Sequence, residues 1–328
     1  MEFFSPPAFL LLVSFYGCGA LLARETWVKW GKGPYALLLL GAAYGVWEEG
    51  LLVKSFFSTT WPDLGALAWY GRWLGVNWVW AVMLTVYHSA FSITIPIIMV
   101  EAFHPDTRGR RWLKRRELAI ALLVFLGVSL LFFLFFQCDT TPIHLLSALL
   151  AALLLAAASR KASGILASGL REPPGSLKLA LVGSSWSAFL LIWPYTAGKL
   201  RVPAALCILS LIAASLAYLN WVLGYKWHPT KAFDLAISPL WTLVILAFIA
   251  EVDKSRADNP AGMSLVGAAT IASIILARRK LKKLYAEDMP HEKKPSMGYV
   301  GWEFRCVFAL MRGCLRRWRK SRRRQAYL

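Results

Sequence analysis

"LAIALLVFLGVSLLFFLFF", residues 118–136, is a run of 19 residues without one charged side chain. As an α-helix it is about 28 Å long, close to the roughly 30 Å hydrocarbon core of a bilayer. The preceding loop, "HPDTRGRRWLKRRE" (104–117), has Lys or Arg at six of its 14 positions. Basic loops beside a span are typical of the cytoplasmic side. This stretch therefore predicts a transmembrane helix that begins at the cytoplasmic face.

Similar apolar runs recur along all 328 residues, which are 58% hydrophobic and 17% charged, with a mean hydropathy of +0.51. A soluble protein would carry about 25% charged residues. The runs are continuous and do not alternate with period two, which excludes a barrel. They predict an all-α, polytopic membrane helix bundle of about nine spans. The predicted spans are 6–23, 34–57, 75–101, 118–136, 143–159, 179–197, 203–224, 235–250 and 262–277.

The distribution of basic residues sets the orientation. One set of alternate connections, together with the C-terminal tail, holds 31 of the 37 Lys and Arg residues, and the other set holds six. The positive-inside rule then places the N-terminus outside and the C-terminus in the cytoplasm. We expect an integral, multi-pass protein of the cytoplasmic membrane.

The predicted domains are a transmembrane region (1–279), a polar linker (280–299) and a basic amphipathic tail helix (300–328). Sixteen of the 37 Lys and Arg residues lie after residue 277. This placement of the basic charge favours membrane lipids with anionic headgroups as partners and not nucleic acid. The expected lipid-binding residues are Arg305, Arg312, Arg316, Arg317, Arg319 and Lys320. The five cysteines show no metal-ligand spacing, so we expect neither a metal nor a cofactor. The oligomeric state is left open.

The segment 58–80, "STTWPDLGALAWYGRWLGVNWVW", contains five tryptophans and one tyrosine. Such clustering is typical of the aromatic belt at a membrane interface. Because the segment is too long and apolar for a simple turn, we expect it to lie on or dip into the outer membrane surface.

The candidate site begins in "GVWEEGLLVKSFF" (45–57), which places Glu48 and Glu49 inside the second span. Ionisable side chains at membrane depth cost a few kcal/mol and usually face a cavity or a partner. His88, near the middle of the third span, is the histidine that we expect to meet them. Gly41 and Gly45 form a small-xxx-small pattern with Glu49, which predicts close approach of another helix. We predict Glu48, Glu49 and His88 as catalytic residues.

Further polar residues surround this candidate site. The substrate- or ion-binding candidates are Asn77, Thr85, Ser89, Ser92, Lys54 and Arg72. Glu101 is expected to face the basic loop 104–117. Several acids fall in predicted loops, where solvation accounts for them: Asp139, Asp234, Glu251, Asp253 and Asp258.

An intramembrane Glu-Glu pair followed by a histidine on the next helix resembles the CAAX-type intramembrane glutamate proteases, over residues 45–90. The resemblance implies that one glutamate, helped by His88, activates water for peptide hydrolysis without an obligatory zinc ion. The family's arginine, phenylalanine and later asparagine positions are occupied here by Val53, Leu84 and Ala148.

Three functions are compatible with this pattern. In an intramembrane hydrolase, Glu49 is the general base, Glu48 its protonated partner, and His88 holds the water or stabilises the oxyanion. In a transporter or channel, the three residues relay protons or bind a cation. In a non-catalytic scaffold, the glutamates pair with Lys54 or Arg72, and His88 bonds a backbone carbonyl.

Overall fold

A computed structural model describes residues 5–138, 140–162, 171–253 and 260–286, and these are largely helical. The helices are α1 (Pro6–Trp30), α2 (Pro34–Val46), α3 (Trp78–Tyr87), α4 (Ile95–Phe103), α5 (Arg115–Phe135), α6 (Pro142–Lys161), α7 (Ser176–Lys199), α8 (Ala204–Leu223), α9 (Pro229–Ile237), α10 (Leu240–Val252) and α11 (Met263–Ala286). Two π-helical turns, π1 (Trp47–Leu52) and π2 (His88–Thr94), continue α2 and α3. The described residues up to Leu281 form one compact unit.

Within the described residues, seven helices are long and apolar enough to cross a membrane. They are Pro6–Trp30, Trp78–Phe103, Arg115–Phe135, Pro142–Lys161, Ser176–Lys199, Ala204–Leu223 and Pro229–Val252. The helix formed by α2 and π1, which carries both glutamates, and α11, whose last turns are basic, are outside this set. The all-α membrane bundle is confirmed, while the count of nine spans and the orientation of the termini stay predictions.

The helix boundaries differ from the predicted spans at several ends. Helix α1 continues to Trp30, seven residues beyond the predicted end at residue 23. The predicted eighth span is divided at Pro239 into α9 and α10, because proline lacks an N–H for the helical ladder. Helix α11 continues to Ala286, past the predicted end of the transmembrane region. The predicted tail helix, 300–328, lies outside the described residues.

Helix α2 occupies the centre of the bundle, between α6 and the helix formed by α3, π2 and α4. Two glycines explain this tight packing. A Cβ on Gly41 would lie 2.8 Å from the Cα atom of Ser89, and one on Gly45 would lie 2.8 Å from the Cβ atom of His88. These distances are too short for any other residue, so the predicted close approach at Gly41 and Gly45 is confirmed.

The segment between π1 and α3 forms a cap with a short hairpin, in which β1 (Arg72–Trp73) pairs with β2 (Val76–Asn77). Trp69, Trp73 and Leu74 at the hairpin are each at least two-thirds exposed. We call this end of the bundle the hairpin end and the opposite end, near Arg24, the Arg24 end. An exposed apolar tip beside membrane-spanning helices fits the predicted surface-lying segment.

Candidate functional site

Glu48, Glu49 and His88 converge in the structure, and we call these three residues the acid–histidine cluster. Nε2 of His88 lies 3.1 Å from Oε1 of Glu49, and Nδ1 lies 3.1 Å from Oε2 of Glu48. One imidazole therefore lies between two carboxyl groups that come from the preceding helix. Each residue offers one metal-ligating atom, and these three atoms lie within 4.8 Å of one another.

The two π-helical turns position the cluster. Both glutamates lie in π1, where the amide of Val53 donates to the carbonyl of Glu48, five residues earlier, and His88 is the first residue of π2. A π turn holds more residues than an α turn, so successive side chains are rotated by less than the roughly 100° of an α-helix. Glu48 and Glu49 can then reach the same histidine. Such turns are frequent at functional sites.

The Glu48 side of the cluster is closed by α1 and by π2. The hydroxyl of Tyr16 donates to Oε1 of Glu48 at 2.5 Å, and Nδ1 of His88 lies 2.9 Å from Oγ of Ser92. Oε2 of Glu48 is buried and contacts Nδ1 of His88, and the buried hydroxyl of Tyr44 lies beside this carboxyl group. Glu48 and His88 side chains are only 5% and 4% exposed.

The Glu49 side is more open. Ser55 donates its hydroxyl to Oε2 of Glu49, and the indole N–H of Trp80 donates to the same serine hydroxyl at 2.9 Å. Oε1 faces His88, so both oxygens of Glu49 are oriented. The Glu49 side chain is nevertheless 12% exposed. Of the three residues, Glu49 is therefore the one that water reaches most easily.

Lys54 and Arg72 do not pair with the glutamates, contrary to the scaffold hypothesis. Nζ of Lys54 donates to the carbonyls of Phe133 and Phe136, at 2.7 and 2.6 Å. The guanidinium of Arg72 donates to four carbonyls of the cap, those of Phe57, Ser58, Ala68 and Gly75. Lys54 therefore binds carbonyls at the C-terminal end of α5, where helical partners are missing. Arg72 binds carbonyls of the cap.

The remaining predicted binding residues lie on the same helix but take separate roles. Ser92 contacts the cluster directly, since its Oγ atom lies 2.9 Å from Nδ1 of His88. Asn77 begins α3, accepting from the amide of Trp80 and donating to the carbonyl of Leu67. Ser89 donates to the carbonyl of Leu38 at 2.6 Å. Thr85 is half-buried in α3, and its carbonyl accepts the amide of His88. The six predicted lipid-binding residues of the tail lie outside the described residues.

A second charged cluster lies at the Arg24 end. Arg24 and Glu25, predicted as loop residues, are each 1% exposed within α1. The Arg24 guanidinium donates to Glu25 at 2.9 Å and to Glu101 at 3.0 Å, and it stacks on Trp112 at 3.4 Å. Arg111 completes the network at 3.2 Å from Glu25. Glu101 thus faces the basic loop as expected, but through a buried arginine of α1.

Asp234, which we expected to be solvated in a loop, is also buried and paired. Oδ1 lies 3.0 Å from Nε of Arg278 in α11, and Oδ2 accepts from Ser176 of α7 at 2.6 Å. Its partners are more than 40 residues away in the chain, so no local pattern could reveal them. This pair joins α9 to α7 and α11.

About 20 Å of helix, from His88 to Glu101, separates the acid–histidine cluster from the Arg24 network. Buried apolar side chains fill this stretch, among them Leu37, Ile93 and Ile97. The cluster is therefore isolated from the Arg24 end, whereas Ser55 and Trp80 connect it to the cap at the hairpin end.

Sequence reasoning missed Tyr16 and Tyr44, because a tyrosine inside an apolar run resembles any other core aromatic. It also missed Ser55, whose only signal was a hydroxyl six residues after Glu49. Their roles become visible only when α1, α2 and the cap are brought together.

A model described as "Uncharacterized membrane protein family" matches residues 1–277. This match gives no support to the resemblance to CAAX-type glutamate proteases, which stays a prediction. Neither the curated proteins nor the solved structures contain a match. The matched range includes every helix from α1 to α10 and most of α11. The chain belongs to this membrane protein family and is an integral, multi-pass membrane protein.

Proposed function

We propose that the protein is an intramembrane hydrolase in which Glu49 is the general base. The observation that carries this proposal is the state of the Glu49 carboxylate. Both of its oxygens are oriented, by His88 and Ser55, while the side chain keeps 12% of its surface exposed. A general base needs a fixed position and access to the water that it deprotonates.

The reaction follows from this arrangement. Glu49 takes a proton from a water molecule as the water oxygen attacks the carbonyl carbon of an amide or ester. The same proton then passes from Glu49 to the leaving nitrogen or oxygen as that bond breaks. His88 and Glu48 act as positioning residues, since they hold Glu49 from the closed side of the cluster.

The apolar stretch towards the Arg24 end supports one-sided access. A transporter needs a route to the cluster from both faces of the membrane. Leu37, Ile93 and Ile97 fill that route on one side, each with at most 4% exposure. The scaffold hypothesis is weakened because Lys54 and Arg72 bind backbone carbonyls and do not pair with the glutamates.

The test is hydrolysis by purified protein in liposomes, with a quenched fluorescent transmembrane peptide and a 4-nitrophenyl acyl ester as probes. Removing a general base lowers the rate by about 10²- to 10⁴-fold, so we expect at least a hundredfold loss in Glu49→Gln. Glu172→Gln, at an exposed position, is the matched control and should retain the wild-type rate. Equal rates in wild type and Glu49→Gln, or no rate above protein-free liposomes with either probe, would refute the proposal.

A further inference from the structure

Within the described residues, the two carboxyl groups of the acid–histidine cluster share one imidazole, that of His88, and pair with no lysine or arginine. Lys54 and Arg72, the nearest basic residues in sequence, are bound to backbone carbonyls. A buried carboxylate without a counter-charge costs several kcal/mol. This imbalance points to a positive charge that comes from outside the chain.

The hydrogen bonds show where that charge belongs. Nδ1 of His88 faces both Oγ of Ser92, at 2.9 Å, and Oε2 of Glu48, at 3.1 Å. A single ring nitrogen is thus shared between two oxygens, and within the described residues Oε2 of Glu48 has no hydrogen bond of its own beside this ion-pair contact. Glu48, to which this oxygen belongs, is only 4% exposed. A buried carboxylate oxygen that shares one ring nitrogen with a serine hydroxyl, and that lies close to a second carboxylate, is an arrangement that a metal ion satisfies.

We propose that Glu48, Glu49 and His88 bind one divalent transition-metal ion of the Zn²⁺ class. Zn²⁺ binds carboxylate oxygens and imidazole nitrogens at about 2.0–2.2 Å, and ligand atoms that lie within 4.8 Å of one another reach such an ion by side-chain rotation. The imidazole disfavours Ca²⁺ and Mg²⁺, which prefer oxygen ligands. Three protein ligands leave a coordination position open for water, as in catalytic zinc sites.

Tyr16 and Tyr44 support this assignment from outside the ligand set. Tyr16 donates to Oε1 of Glu48, whereas Oε2 faces His88, so the orientation of the carboxyl group is fixed. The Tyr44 hydroxyl is buried and lies beside Glu48, with which it interacts from the side of α2. Groups that orient ligands are a regular part of metal sites.

The role of the ion in hydrolysis rests on the proposed function, whereas its binding is tested separately. A bound ion of this class supplies a Lewis acid that polarises the scissile carbonyl and acidifies the attacking water. Glu49 would then be shared between ligation and proton transfer, and Ser55 would hold the oxygen that does not bind the ion.

The experiment measures Zn²⁺ bound to the purified full-length protein in phosphatidylcholine nanodiscs, after EDTA treatment, by equilibrium dialysis and elemental analysis. We expect one ion per chain in wild type and in the controls His228→Gln and Glu172→Gln, which alter exposed residues. In Glu48→Gln and His88→Gln, affinity should fall by at least about tenfold, the loss found even for outer-shell changes. No stoichiometric Zn²⁺ in wild type, or undiminished binding in both cluster variants, would overturn the proposal.

A second measurement uses wild-type protein, so that it tests the site even if the cluster variants fail to fold. Wild-type protein loaded with Co²⁺ should show visible absorption bands without the sulfur charge-transfer band of a thiolate ligand. A thiolate band would assign the ion to cysteines and overturn the proposal. Bound Zn²⁺ without hydrolysis refutes the proposed function alone, while unchanged hydrolysis after EDTA treatment refutes the metal's role alone.

Discussion

Replacing Arg24 with methionine should destabilise the protein by about 3–5 kcal/mol, the usual cost of removing one partner of a buried ion pair. Arg24 is 1% exposed and binds Glu25 and Glu101. In Arg24→Met, Glu25 still pairs with Arg111 at 3.2 Å and still accepts from the amide of Trp112 at 2.8 Å. The loss of Arg24 therefore destabilises Glu25 only slightly. Most of the cost therefore falls on Glu101.

Once Arg24 is removed, Glu101 keeps only a weak ion pair among the described residues. Its other cation, Arg108, lies 3.8 Å away and is 49% exposed, and an exposed pair contributes about 0–1 kcal/mol. Arg108→Ala is the matched control and should cost less than about 1 kcal/mol. The double variant Arg24→Met/Glu101→Leu should recover part of the loss, because an apolar replacement of a buried pair is often neutral.

The assay is equilibrium unfolding by sodium dodecyl sulfate in mixed micelles, followed by circular dichroism. If the free energy of unfolding of Arg24→Met lies within about 1 kcal/mol of wild type, the buried pair does not stabilise the Arg24 end as argued.

Two further changes probe the packing around the cluster. Gly45→Ala places a Cβ atom 2.8 Å from that of His88. We expect it to lower the free energy of unfolding by about 1–3 kcal/mol in the same assay and to weaken Zn²⁺ binding. Gly127→Ala, at a position with open space around it, is the control and should change neither. Lys54→Met should leave the last carbonyls of α5 without a donor and speed amide hydrogen exchange at residues 130–136, yet leave Zn²⁺ binding unchanged. A loss of Zn²⁺ in Lys54→Met would instead mean that this cation supports the glutamates.

Much of the architecture could be predicted from the sequence, because the bilayer imposes a local rule. Each apolar run must satisfy its own backbone hydrogen bonds, so a run of about 20 residues predicts a helix wherever it occurs. The convergence of Glu48, Glu49 and His88 was also predictable, since consecutive spans are antiparallel neighbours and Gly41 and Gly45 allow close contact.

What could not be predicted depends on contacts between distant residues. Helix α1 extends past its apolar run because Arg24 finds Glu101, 77 residues later. Lys54 binds the end of α5 because four carbonyls there have no helical partner, and nothing near Lys54 in the sequence reports that. The π turns have no sequence signature comparable to a proline or a capping box, so their positions at Glu48, Glu49 and His88 could not be predicted.

A π turn is equivalent to an α turn with one residue inserted. The cluster can therefore be gained or lost in evolution without a change in the rest of the helix bundle. Deleting a single residue within 47–52 would restore α geometry, swing the glutamates away from His88 and leave the surrounding helices in place. Insertion and deletion, more than substitution, can therefore create or erase this chemistry on an unchanged scaffold. Two proteins of this fold could share every helix and still differ in whether they hold a site at all.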